Sequence, residues 1–435
     1  MSRILTRSPS RAARPPADQP IPGLPSRRAA LTLLHGVLAL GRPLDQLLGG
    51  TLGSLPPADR GLAHAIALGV LRRLPDLDAA IDIATPRPLP ADARARAALR
   101  IGLAQAWIIG TPRHAVTATT LALLESGPRR LAHAVLTRLL GAPSPLPVPP
   151  TLPEPWADRW CAAYGEPATR AIATALAAEP PLDLTLRDPA ETDLWAERLG
   201  ATSLLSGHLR LDRTGDVTQL AGFTEGAWWV QDLAASLPAR LLAPAPGELV
   251  LDLCAAPGGK TLQLAAMGAR VTAIDIAERR LARVGENLAR TGLAAELIVA
   301  DARTWEPPAP QSAILLDAPC SATGTARRHP DVLHLKAARD FASVLELQAA
   351  LLARAARWLM PGGRLIYCTC SLEPEEGEAH IARLLAADPA MRVCPIEDVT
   401  LPNSLAPASE GWLRTLPGQI EGGLDGFFIA RLIRA

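Results

Sequence analysis

Beyond Gly247 the chain adopts a pattern that few folds can satisfy. Strand-length apolar runs (ELVLDLCA, RVTAIDI, AELIVADA, SAILLDAP and RLIYCTCS) alternate with helix-like segments or loops. Short runs that are apolar on both faces specify a mostly parallel sheet covered by helices on either side. Ligands of such sheets gather at the carboxyl ends of the strands. The residues there are Asp252 to Lys260, Asp275, Asp301, Asp317 to Cys320, and Cys368 to Ser371.

The remainder of the 435 residues is too long to share that one core, so several domains are expected. Residues 1–25 mix Arg, Pro, Ser and Ala and read as a disordered tail. Over 26–140 apolar residues recur at helical spacing, as in RAALTLLHGVLAL, DRGLAHAIALGVLRRL, RARAALRIGLAQAWIIG and RRLAHAVLTRLL, which predicts an all-α bundle. Residues 141–155 (GAPSPLPVPPTLPEP) form a proline-rich linker that disfavours helix. A helix-like stretch at 156–178, the strand-like LDLTLR and HLRLDR, and the helix-like ETDLWAERLG make a small α+β module over 156–240.

Net charge is +1, but it divides unevenly: residues 1–140 carry +10 and residues 141–435 carry −9. A basic first part suits contact with a polyanion, RNA or DNA. The six cysteines are scattered without a CxxC pair, which predicts reduced cytosolic thiols and neither a disulfide framework nor a zinc site. The sequence contains no apolar run of membrane-spanning length and no secretory signal pattern. The Arg/Ser-rich start leaves an organelle transit peptide as the one targeting alternative.

LDLCAAPGGKT (251–261) is a strand, a glycine-containing loop and a helix start, an arrangement that turns backbone N–H groups toward a ligand. It lacks the GxGxxG of dinucleotide sites. Gly259-Lys260-Thr261 matches only the end of a phosphate-binding loop, since Cys254 stands where that loop begins with glycine. S-adenosyl-L-methionine remains as the cofactor class. Cys254, Ala255, Ala256, Pro257, Gly258, Gly259 and Lys260 would hold its methionine end. Asp275 would accept from its ribose hydroxyls and Asp301 from its adenine amino group. Either acid alone could equally be a helix cap. Lys260 is one of only two lysines, beside Lys336, against 42 arginines, which suggests a task for a compact charge.

In order and spacing, LDLCAAPGGKT, AIDIAERR, VADAR, LLDAPCSATGTARRHPDV, YCTCSLEPEEGE and DGFFIARL resemble the RNA cytosine-5 methyltransferases. The helical region resembles a NusB-type RNA-binding domain. That pairing is similar to the ribosomal RNA small subunit methyltransferase B family, over about residues 27–435. The resemblance implies a Rossmann-like class I methyltransferase domain with a seven-stranded, mostly parallel sheet over 241–435. It also implies methyl transfer to C5 of one cytosine in 16S ribosomal RNA, free or in an early assembly intermediate. The protein would be a cytoplasmic, metal-free monomer without membrane contact. The rivals are the same chemistry on transfer RNA or 23S RNA, and a catalytically silent NusB-like assembly factor.

Cytosine C5 is a poor nucleophile until a thiolate adds at C6, and a base must later remove the C5 proton. Two groups are therefore needed. Strand-end position does not say whether Cys320 or Cys370 attacks. The resemblance implies Cys370 as nucleophile, Cys320 in product release, and Asp317 near the methionine end of the cofactor or the cytosine edge. Arg327, Arg328 and His329 could grip RNA phosphates or form an ordinary solvated charge run. Three residues depart from the family pattern: Ala322 where Gly is usual, His334 where Trp is common, and Gly377 for the Asn of PEENE.

Overall fold

Side-chain alternation along the strands builds the larger sheet. In this computed structural model, which describes residues 21–212, 215–335, 341–396, 401–402 and 404–435, the strands are β1 (Leu182–Leu186), β2 (Thr202–Leu205), β3 (His208–Leu211) and β4 (Trp228–Val230), then β5 (Leu249–Leu253), β6 (Arg270–Asp275), β7 (Glu296–Val299), β8 (Gln311–Asp317), β9 (Leu359–Thr369), β10 (Met391–Val393), β11 (Leu413–Thr415) and β12 (Phe427–Arg434). Val250, Ala313, Leu315, Ile366 and Cys368 fall on one face of the larger sheet with Leu237, Leu241 and Leu264. Leu251, Leu253, Ile314, Leu316, Leu365 and Tyr367 fall on the other, against Leu351, Leu352, Ala355 and Ile381. Successive residues thus feed opposite cores, as a period of two requires.

The strand order is β10-β12-β9-β8-β5-β6-β7, with β11 added on β12. β5 to β9 pair in parallel, whereas β12 runs antiparallel to β9, β10 and β11. The expected seven strands are the connected path, and β11 makes an eighth. Strand order reverses beside β5, so the ends of β5 and β8 flank the crevice where α/β folds bind ligands. A separate antiparallel sheet, β2-β3-β1-β4, occupies residues 182–230 after the helix Trp156–Ala177, which is broken at Gly165.

By contact density the chain divides into two units. One comprises residues up to His35, Leu48–Val70 and Asp78–Ser144. The other comprises Gly36–Leu47, Leu71–Leu77 and Pro145–Ala435. The first is helical, with Arg94–Trp107, Arg113–Leu121 and Ser126–Leu140 packed together. Part of its arginine excess is spent internally: Arg100 makes a bidentate pair with Asp78 at 2.7 Å, and Arg96 pairs with Asp78 and Asp82. Residues 1–20 of the expected tail and Lys336 lie outside the described residues, and the first helix begins at Leu24.

Candidate active site

Two cavities meet at the carboxyl ends of β5, β8 and β9. The larger, about 560 Å³, is lined by Cys254, Ala256, Pro257, Asp275, Asp301, Asp317, Cys320 and Cys370, among others. The smaller, about 330 Å³, is lined by Ala255, Pro257, Gly258, Gly259, Lys260, Asp317, Arg328, Cys370 and Phe427, among others. Pro257, Asp317 and Cys370 belong to both walls.

The loop after β5 divides the two spaces. Cys254 (φ +60°) and Gly258 (φ +102°) take left-handed backbone conformations, and a Cβ at Gly258 would come within 2.9 Å of Val284. Glycine is needed there on both counts. Beneath the loop, fully buried Asp252 accepts from Thr261 Oγ1 at 2.6 Å, while its Oδ1 has no hydrogen-bond partner among the described residues. Burial raises its carboxyl to about 7. Burial also pushes the Cys254 thiol up and keeps it neutral.

Asp275, at the end of β6, accepts from the Ala256 and Ala277 N–H groups at 3.1 and 2.8 Å. It therefore caps backbone and faces the larger cavity at once. Asp301 is gripped by Arg303 at 2.7 and 3.0 Å, and those hydrogen bonds hold its carboxyl below the usual range. Two acids at neighbouring strand ends, with apolar Ile276, Leu347 and Leu351 in the same walls, fit a ligand that presents hydroxyls and a flat aromatic ring. A phosphate reading of the loop does not fit. Lys260, the only cation such a loop would offer, is 8% exposed, bonds Asp317 at 2.7 Å and lies over the Phe427 ring at 5.2 Å. Burial opposes the Lys260 charge, yet Asp317 outweighs it and holds the ammonium above its ordinary range.

Asp317 pairs in register with Cys368, whose thiol lies 3.5 Å from Asp317 Oδ1. Two residues beyond Cys368, as the i, i+2 spacing requires, Cys370 packs beside the same core cluster. Cys320 Sγ lies 3.4 Å from Cys370 Sγ. The thiols, 50 positions apart in sequence, are brought together where the two cavities meet. The hydrogen bond with Cys370, together with burial, pushes the Cys320 thiol well above its ordinary range.

The three residues after this motif separate. Arg327 is 2% exposed, bonds Asp232 at 2.8 Å and donates to the Gly422 carbonyl. It has no surface with which to grip a phosphate, which corrects that expectation: the ion pair consumes it. Arg328 pairs with Asp425 yet still lines the smaller cavity. His329 faces Asp45 at 3.5 Å, and burial and Arg328 lower its basicity. Of the three departures, Ala322 lines the larger cavity at φ +58°, a conformation glycine adopts freely. Gly377 has no room for a side chain, since a Cβ would lie 2.6 Å from Phe428. His334 reaches the Leu71 carbonyl at 2.9 Å and lines neither cavity.

Sequence reasoning did not single out Phe427 or Glu376. DGFF quoted the first as part of a motif only. Glu376 was carried only within the motif YCTCSLEPEEGE and given no role, yet it is fully buried.

Residues 239–433 match the family described as 16S rRNA methyltransferase RsmB/F, and residues 24–131 match the NusB family. The chain is 37% identical to ribosomal RNA small subunit methyltransferase B of Pseudomonas putida, over 94% of this chain and 98% of that one. It is also 37% identical to the protein of the same name from Xylella fastidiosa, over 95% and 98%. Among solved structures, a methyltransferase homolog protein from Pyrococcus horikoshii is 28% identical with a TM-score of 0.54, covering 64% of this chain and 94% of that one.

Proposed function

Because the chain belongs to the ribosomal RNA small subunit methyltransferase B family, we propose that it transfers a methyl group from S-adenosyl-L-methionine to C5 of one cytosine in 16S ribosomal RNA, through a covalent bond from Cys370 to C6. The observation that carries this reading is the 3.4 Å approach of two thiols at the junction of two cavities. One cavity would take the cofactor and the other an unstacked pyrimidine. Bound in the larger space, between Asp275, Asp301 and Asp317, the cofactor supplies an electrophilic methyl on a positively charged sulfur.

The chain's own residues divide the remaining work. The contact with Cys370 at 3.4 Å and burial hold Cys320 as a neutral thiol, and the family likeness gives the attack to Cys370. Lys260, paired with Asp317, and Arg328, paired with Asp425, line the smaller cavity beside Cys370 and would orient an incoming base and its phosphate there. The Cys370 thiolate adds at C6, and the displaced π electrons make C5 nucleophilic toward the methyl. Once Cys370 is a thioether it no longer holds the Cys320 proton in place. Cys320 can then lose that proton to solvent and accept the one on C5. The C5–H electrons restore the ring double bond, and the C6–S bond breaks to return the Cys370 thiolate. The protein would act as a cytoplasmic monomer on free RNA or an early assembly intermediate.

The test is a pair of variants with RNA and cofactor. Cys370→Ala should abolish both methylation and covalent adduct, while Cys320→Ala should accumulate a protein–RNA species on denaturing gels. Adduct formed by the Cys370 variant would reverse the assignment. Mapping the modified nucleoside on deproteinised 16S RNA, assembled subunits and transfer RNA tests the substrate.

A further inference from the structure

We propose that Glu376 is the positioning residue that holds the two thiols in register, an inference that rests on the two-thiol reading above. Its carboxylate, 0% exposed, takes donors from both thiol loops. Oε1 accepts from the Ser321 N–H at 2.7 Å and from Gln348 Nε2 at 2.9 Å. Oε2 accepts from the Ser321 and Ser371 hydroxyls, which lie 3.0 Å from each other. Ser321 follows Cys320 and Ser371 follows Cys370, so one carboxylate ties the residue after each thiol to the same point. Gln348, from the helix Phe341–Trp358, also donates to the Pro319 carbonyl at 2.8 Å and fixes the residue before Cys320. Tyr367 Oη donates to the Glu376 carbonyl at 2.8 Å and anchors the clamp to β9.

The thiols sit on irregular loops beyond β8 and β9, which also meet where the Gly324 N–H donates to the Cys370 carbonyl at 3.1 Å and the Leu372 N–H to Thr323 Oγ1 at 3.0 Å; Glu376 adds the link at the residue that follows each thiol. Four hydrogen bonds converging on one buried carboxyl group are jointly directional. Glu376 lines neither cavity, so it acts through the thiols and not on the substrate. Two of its donors are N–H groups that cannot reverse, whereas the two hydroxyls can turn to accept from an amide. Glutamine should therefore keep part of the clamp and alanine none.

Phenylarsine oxide condenses with two adjacent thiols, forming two As–S bonds with loss of water, and probes their separation without RNA or cofactor. The full-length wild-type chain should bind it through Cys320 and Cys370 together, as read by peptide mass mapping. Glu376→Ala should lose that uptake by about ten-fold or more while single alkylation of Cys370 by iodoacetamide persists, and Glu376→Gln should fall between. With RNA and cofactor the alanine variant should form adduct but release it slowly, raising the covalent fraction. Should the alanine variant not fold, the Ser321→Ala, Ser371→Ala double variant removes the two hydroxyl donors, keeps the two N–H donors, and should fall between wild type and alanine as the glutamine variant does. Undiminished arsenical uptake and normal release in a folded variant would overturn the proposal. A wild-type chain that binds the arsenical but never bonds RNA would instead sink the catalytic reading and leave the clamp intact.

Discussion

Replacing Asp252 with asparagine should remove a measurable pH dependence of stability. The Asp252 carboxyl is fully buried, keeps one oxygen unpartnered, and titrates at about 7 in the fold. An unfolded aspartate titrates near ~3.9, and each pH unit between the two values is worth about 1.36 kcal/mol. The folded pKa is the higher, so the native chain keeps a proton that the unfolded chain has released. Stability therefore falls as pH rises through this window and levels off above it. Between pH 5 and pH 8 only the two units up to pH 7 count, which gives a loss on the order of 3 kcal/mol. Asparagine is neutral throughout, so Asp252→Asn should gain that amount relative to wild type across the range. An unpaired buried amide costs about 1–3 kcal/mol, but equally at every pH. Urea unfolding at pH 5, 6, 7 and 8, followed by tryptophan fluorescence, reads the difference directly. Parallel curves for the two proteins would refute the reasoning, because they would mean that the nearby Lys260 ammonium keeps Asp252 ionised throughout.

Ala322→Gly should relieve the left-handed residue beside Cys320. The strain of about 1–2 kcal/mol is offset by roughly 0.5–1 kcal/mol of extra unfolded-state freedom, for a net gain below about 1.5 kcal/mol in the same urea assay. Arg327→Ala should destabilise the chain by about 3–5 kcal/mol by leaving Asp232 buried without its cation, and should leave the salt dependence of RNA binding unchanged. Arg328→Ala should lower the slope of log affinity against log salt by about 0.7–0.9, as loss of one phosphate contact requires; an unchanged slope removes Arg328 from the RNA surface.

Strand-ending residues were legible because the larger sheet is buried on both faces. Five apolar runs therefore stood out, and β5 to β9 lie where those runs predict. β10 and β11 span three residues each, too short to show a period, and β12 lies within the motif DGFFIARL, which was not read as a strand. β4, three residues long, escaped for the same reason, whereas β2 is as long as β3 but half exposed and shows no apolar alternation. At the site, residue types announced the thiols and acids, but not who pairs with whom. Arg327 and Arg328 are identical neighbours in sequence, and only packing assigns one to a buried ion pair and the other to a cavity wall. Glu376 was invisible because an acid-rich turn after a strand ordinarily belongs to solvent.

The place of β12 in the sheet constrains how the protein can be made. That strand, residues 427–434, lies between β9 and β10 and supplies the aromatic ring beneath Lys260. During synthesis β9 is thus an open edge for the time needed to translate the next sixty or so residues, exposing unpaired backbone next to Cys370. The thiol pocket is finished only when those late residues leave the ribosome. A nascent chain stalled before Phe427 would carry both sulfurs but not the walls that make them selective.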